Sequence, residues 1–337
     1  MFEFLDFDGL ENAQLCDEAR RWRKLMKCET VSDLNRLVQN GEIRKLIRLN
    51  EALHEVNYAK VSERICAQNF KLVMLAGPSA SGKTTSANRL ATQLQSRGKE
   101  PLLLSLDDYY FDRDKIRVAQ DGQLDLEHIN TIDADLFSKQ MEDLLCGNVV
   151  ELPRFNFRKG CREWNGTRLQ ISANSVIVVE GLHALNPRLL PHALECNLVF
   201  RVYVSPLCSI LLDDCTQISS SFLRLLRRIV RDYNTRGASV EQTMSMWESV
   251  LFGEQRWILP YQETADMIFD SATQYELVVL KTHICPLLQR VSQETWCYEH
   301  VQEIMKILDC VYEANIDDEI PPTSLVREFI GGSAFNS

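Results

Sequence analysis

A chain that contains Gly77-Pro-Ser-Ala-Ser-Gly82-Lys83-Thr84 has few ways to fold around it. The glycines let the backbone curl until its N–H groups converge, and the spacing belongs between a buried strand and the first turn of a helix. Both flanks are present. Residues 71–76 form an apolar run ending at the first glycine, and residues 84–95 show helix-like spacing. The converging N–H groups, the helix N-terminus and Lys83 together make a receptor for the phosphates of ATP. Gly77, Ser79, Ala80, Ser81, Gly82, Lys83, Thr84 and Thr85 are the expected contacts. The Thr84 hydroxyl is placed to ligate Mg²⁺.

Further apolar runs at 101–106, 175–180, 198–203 and 267–269 read as strands, with helix-like stretches at 134–146 and 209–233 between them. This alternation predicts an α/β fold, a parallel sheet with helices on both faces. Residues 1–69 read as a helical N-terminal extension, 70–290 as the main domain, and 291–337 as a helical tail that frays after Ile320, where Pro321 and Pro322 follow.

Composition narrows the partners. The net charge of −10 argues against a dedicated nucleic-acid binder, so an anionic substrate must be held by a local cluster of positive groups. The 11 cysteines are odd in number and form no CxxC pair, which fits reduced thiols packed as small hydrophobes. The acidic start lacks a signal-peptide pattern and no apolar run is long enough to cross a bilayer, so a cytoplasmic protein is expected, with no membrane partner.

The loop alone does not choose a reaction. No D-x-x-G follows at a suitable distance and no N-K-x-D occurs, so GTPase readings lose their support and a small-molecule kinase remains. Asp107, just past the second strand, should face the loop across the carboxyl ends of the sheet. A carboxylate there can accept the proton of an acceptor hydroxyl, although Asp107 or Asp108 could equally cap the next turn. Arg224, Arg228 and Arg231 share one helical face, and with Arg227 and Arg236 they put five arginines within thirteen residues. Such a cluster can neutralise a transferring phosphoryl group; the leucines between the arginines also allow an ordinary amphipathic helix.

With these pieces in order, the sequence resembles the uridine kinase family of P-loop nucleoside kinases. GPSASGKTT at 77–85, SLDDYY at 105–110, PRFNF at 153–157, VVEGLHAL at 178–185 and RRIVRDYNTRG at 227–237 carry the likeness over about residues 70–285. Phosphoribulokinase and pantothenate kinase share parts of the frame. The resemblance implies a P-loop NTPase-type sheet with an arginine-rich helical lid. It implies Asp107 as catalytic base, and Lys83, Arg228 and Arg231 as groups acting on the transferred phosphoryl. Glu180 would hold Mg²⁺ through water, and Tyr109, Tyr110, Glu127, Phe155, Arg162 and Arg224 would line the acceptor site. ATP and Mg²⁺ would be required, a nucleoside would be the acceptor, and a homo-oligomer, dimer or tetramer, is expected. Residues 40–54 resemble the segment preceding the kinase in longer bacterial members fused to threonyl-tRNA-synthetase-like modules.

The departures from the family pattern fall where a base would be read. Phe155 stands in place of the usual tyrosine, and Gly160 stands where a histidine is expected. Losing two hydrogen-bonding groups weakens discrimination for uridine or cytidine, which leaves another hydroxylated metabolite as the alternative acceptor. A nucleotide-binding regulator without catalysis is a third reading, opposed by the intact Lys83, Thr84, Asp107 and Glu180.

Overall fold

The computed structural model describes residues 21–116, 127–190, 198–207, 210–213 and 216–335. After a helical stretch over residues 21–26 come α1 (Val31–Gln39) and α2 (Ile43–Ala67), followed by β1 (Leu72–Ala76), α3 (Lys83–Ser96) and β2 (Glu100–Ser105). Helix α4 (Ala134–Leu145) leads into β3 (Val150–Asn156) and β4 (Cys161–Leu169), then come β5 (Ser175–Glu180) and β6 (Val199–Ser205). The last third holds α5 (Ser220–Arg231), α6 (Val240–Trp257), β7 (Met267–Asp270), α7 (Glu276–Leu288), α8 (Tyr298–Asp309) and the single turn α9 (Arg327–Ile330).

Five strands form an all-parallel sheet in the order β2-β5-β1-β6-β7. Because side chains alternate along a strand, each face collects its own set. Val73, Leu75, Val176, Val178, Phe200 and Val202 pack on one side against Tyr58, Val61 and Ile65 of α2 and Ala87, Leu90 and Leu94 of α3. Leu72, Met74, Ile177, Val179 and Tyr203 pack on the other against Phe137, Met141 and Leu144 of α4. Helices therefore cover both faces, as the sequence alternation predicts. A third cluster joins α1, α5, α6, α7 and α8 around Leu34, Phe222, Leu226, Trp247, Leu277 and Val301. Among the described residues no helix is long and apolar enough to cross a membrane, and the described cysteines are free thiols.

The structure differs from the sequence reading in three places. Helix α5 begins at Ser220 rather than 209; Leu211 instead bridges to Thr30 and Gln217. The antiparallel pair β3–β4 stands apart as its own small sheet, bulged between Glu151 and Pro153. The tail past Ile320 does not fray: Leu325 and Phe329 are fully buried in an apolar seat on the loop at 77–85, and Val326 is buried in the third hydrophobic cluster.

Helix α5 is fixed by a buried ion pair. Arg227 and Glu276 meet at 2.7 and 3.0 Å with both side chains almost fully enclosed. Removing one partner strands the other charge out of water. Glu276→Ala is therefore expected to cost about 3–5 kcal/mol of stability in urea denaturation, and a loss under about 1 kcal/mol would show that Arg227 needs no partner.

Candidate active site

The carboxyl ends of β1, β5 and β2 lie level, since Leu75 is in register with Glu180 and Glu180 with Ser105. Everything that follows these strands opens onto one mouth, where ligands of such sheets bind. After β1 the chain turns at Gly77, where a Cβ would come within 2.1 Å of the Val204 carbonyl oxygen, so no larger residue fits. Ala80 at φ +59 and Gly82 at φ +92 complete the curl into α3. Inside it, the Lys83 ammonium donates to the Pro78 carbonyl at 2.9 Å. Burial depresses the Lys83 pKa, while Glu180 and Asp107 pull it upward, which puts both carboxylates within electrostatic reach of the ammonium.

Ser105 ties the two acids together. Its hydroxyl donates to Glu180 at 2.8 Å and accepts the Asp107 N–H at 3.3 Å. Burial raises both carboxyls, Glu180 to about 7, and for Asp107 Lys83, Arg236 and Arg231 oppose the rise. The neighbouring Asp108 is used structurally. It accepts the Phe155 N–H at 3.0 Å and so pins β3 to the turn after β2. Of the two candidates, Asp107 is the one that faces the loop lysine. The Thr84 hydroxyl and the Glu180 carboxylate supply hard oxygen donors at the same mouth, of the kind a divalent cation takes.

Above the loop lies α5, already packed down. Arg224 donates to the Ser79 carbonyl at 3.2 Å, and Arg228 to the Ser79 hydroxyl at 2.9 Å. Each is held from behind. Glu254 binds Arg224 at 2.6 Å, and the ring of the buried Trp247 underlies Arg224 and Arg228 at 5.5 and 6.0 Å. Asp232, enclosed at the start of a π-turn (Asp232–Arg236), meets Arg228 at 3.3 Å, Arg231 at 2.8 Å and Arg236 at 3.3 Å. Sequence reasoning missed Asp232, Glu254, Trp247 and Ser105. A lone acid inside an arginine run was the available signal for Asp232; nothing local marks Glu254 or Trp247.

The acceptor side is more mixed. Tyr110 sits among Asp107, Glu127 and Glu180, which with burial hold its phenol well above the usual value, and its ring packs edge-on to Phe155 at 5.8 Å. Glu127 lies near Arg228, Lys83 and Asp107. The structure brings these residues together. Tyr109 and Arg162 are not among them. Tyr109 is buried against Phe137 with its hydroxyl bonded to Gln140 at 2.8 Å. Arg162 clamps Asp133 at 2.9 Å and the carbonyls of Tyr109 and Tyr110 at 3.0 and 3.1 Å, so it supports the turn rather than reaching for an acceptor. Gly160 takes φ +68 in the β3–β4 turn, a left-handed conformation in which a histidine would be strained, and a Cβ there would meet the Arg113 side chain at 2.6 Å.

Burial pushes the Glu127 carboxyl from 4.5 up to about 7. A carboxyl that holds its proton more tightly when folded stabilises the fold at low pH, and this contribution is lost as the pH rises through that window. The unliganded protein should therefore lose thermal stability between pH 4.5 and about 7, with a shallower slope in Glu127→Gln. An unchanged slope in the variant would show that Glu127 is not the group responsible.

Residues 72–277, more than half of the chain, match the model of the phosphoribulokinase / uridine kinase family. A uridine kinase of Vibrio atlanticus is 29% identical over 226 residues, covering 65% of this chain and 96% of that protein. A uridine kinase of Staphylococcus haemolyticus is 28% identical over 201 residues, covering 59% and 87%. Among solved structures, a D-glycerate 3-kinase from Cryptococcus neoformans is similar with a TM-score of 0.44 at 14% identity, over 61% of this chain and 89% of that one. With its phosphate loop, paired carboxylates and arginine-bearing helix in one mouth, the chain belongs to the phosphoribulokinase and uridine kinase family of P-loop kinases.

Proposed function

We propose that this kinase transfers the γ-phosphoryl group of ATP to the hydroxyl of a small molecule, and that the acceptor is a nucleoside phosphorylated at its 5′-oxygen. The observation that carries the reading is the convergence of Lys83, Asp107 and Glu180 at the end of the sheet. Asp107 takes the acceptor proton as the hydroxyl oxygen attacks; its raised pKa brings it closer to the basicity that proton abstraction requires. Lys83, Arg228 and Arg231 stabilise charge on the group in transit, from positions fixed before the reaction. Thr84, and Glu180 through water, would hold Mg²⁺, which neutralises phosphate charge when bound. With substrates bound, the arginine helix packed over the loop would shield the transferring group from water, which favours transfer over hydrolysis.

A second acceptor class has a specific observation behind it. Gly160 offers no side chain to a base edge and Arg162 is fully engaged, so a hydroxylated metabolite without a pyrimidine remains the alternative. The uridine kinases named above supply the case for a nucleoside.

Asp107→Asn should lower turnover by roughly 10²- to 10⁴-fold with ATP affinity little changed; near-parental turnover would remove Asp107 from the base role. A panel of nucleosides, sugar phosphates and pantothenate-like compounds, assayed for ADP release, should respond to nucleosides. A response confined to non-nucleosides would transfer the proposal to the second acceptor class.

A further inference from the structure

The chain's own C-terminal segment sits in the phosphate loop. Glu328 accepts a hydrogen bond from the Thr85 N–H at 3.1 Å and another from the Thr85 hydroxyl at 2.7 Å. Thr85 lies in the first turn of α3, whose N–H groups are the ones such a loop offers to phosphate. The Glu328 carboxylate is also within electrostatic reach of Lys83 and Glu180. An anion of this chain thus holds part of the receptor built for a ligand anion.

The contact is not a stray side chain. Leu325 is fully buried against Gly82, close enough that a Cβ on that glycine would lie 2.6 Å from it. Phe329 is fully buried, with the Arg227 guanidinium 5.0 Å from its ring centre, and it joins Leu325 and Ala80 in a small apolar cluster. A carboxylate on the Thr85 N–H, anchored by two buried apolar side chains, thus presents to the loop the kind of group a nucleotide phosphate presents. Upstream, Ser324 donates to Glu51 at 2.8 Å and meets the Tyr275 hydroxyl at 3.0 Å. Glu51 in turn pairs with Arg89 on α3 at 3.2 Å.

We propose that residues 324–330 are an intramolecular occupant of the donor site, with Glu328 standing where a nucleotide phosphate is received, so that ATP binds only as this segment leaves. The inference rests on the reading of residues 77–85 as the ATP site. Two anions cannot share the Thr85 N–H, and the apparent dissociation constant rises by the inverse of the fraction of molecules with the segment displaced. The device is autoinhibitory: anything that draws the tail away raises the affinity for the donor.

The test uses the full chain and ADP as the probe. Calorimetry should give Glu328→Ala an ADP affinity at least about fivefold tighter than the parent, with Glu328→Gln between them. Hydrogen exchange on the unmodified protein should show faster exchange across 324–331 when ADP is added, a readout that does not depend on a variant folding. Equal or weaker binding in the variants, or a segment that ADP leaves as protected as before, overturns the proposal while the ATP-site reading stands. ADP binding to none of the three proteins overturns both.

Discussion

Concentrating positive charge in an acidic protein is the condition on which the site depends. Five arginines within thirteen residues repel one another, and a helix carrying them has no reason to bury that face unless each charge is met. Three carboxylates from different parts of the chain meet them. Glu276 holds Arg227, Glu254 holds Arg224, and Asp232 gathers Arg228, Arg231 and Arg236. The leucines between the arginines fasten the helix to the third hydrophobic cluster. Arg224, Arg227 and Arg228 are thus aimed at the loop in advance, and on the proposed function that is electrostatic stabilisation needing no reorganisation during reaction.

Much of this was legible in the sequence, for identifiable reasons. The loop at 77–85 is read from spacing alone, because backbone geometry demands glycine at Gly77 and a left-handed residue at Gly82. The strands are read because parallel strands buried on both faces are continuous apolar runs. The place of Asp107 at the sheet's mouth is read from such a strand, but position alone does not separate a base from a turn cap. What could not be read is long-range. Glu254 and Glu276 look like any surface acids in the chain, and only the tertiary fold turns them toward arginines 30 and 49 residues away. The same holds for Arg162, which looks like an anion-binding arginine and is instead a brace under the turn at Tyr109 and Tyr110.

The two departures at the acceptor side have different physical status. Phe155 keeps the ring of the residue it replaces and packs against Tyr110, so the aromatic wall persists while a hydroxyl is lost. Gly160 is a change of backbone: its φ of +68 is a left-handed conformation that favours glycine. The hairpin tip is therefore built for a tight turn, and on the proposed reading selectivity falls to groups nearer the sheet, where Glu127 and Tyr110 stand.

Helix α2 carries a consequence for where this enzyme begins. The family match starts at residue 72, yet Tyr58, Val61 and Ile65 cover one face of the central strands. Glu51 and Glu55 grip Arg89 on the helix that the phosphate loop opens, and Tyr58 bonds Ser86 beside it at 2.9 Å. A protein cut at the homology boundary would strip part of the cover from this sheet face and leave an enclosed guanidinium without its acids. The packed unit of this chain accordingly extends upstream of the piece that sequence comparison recognises.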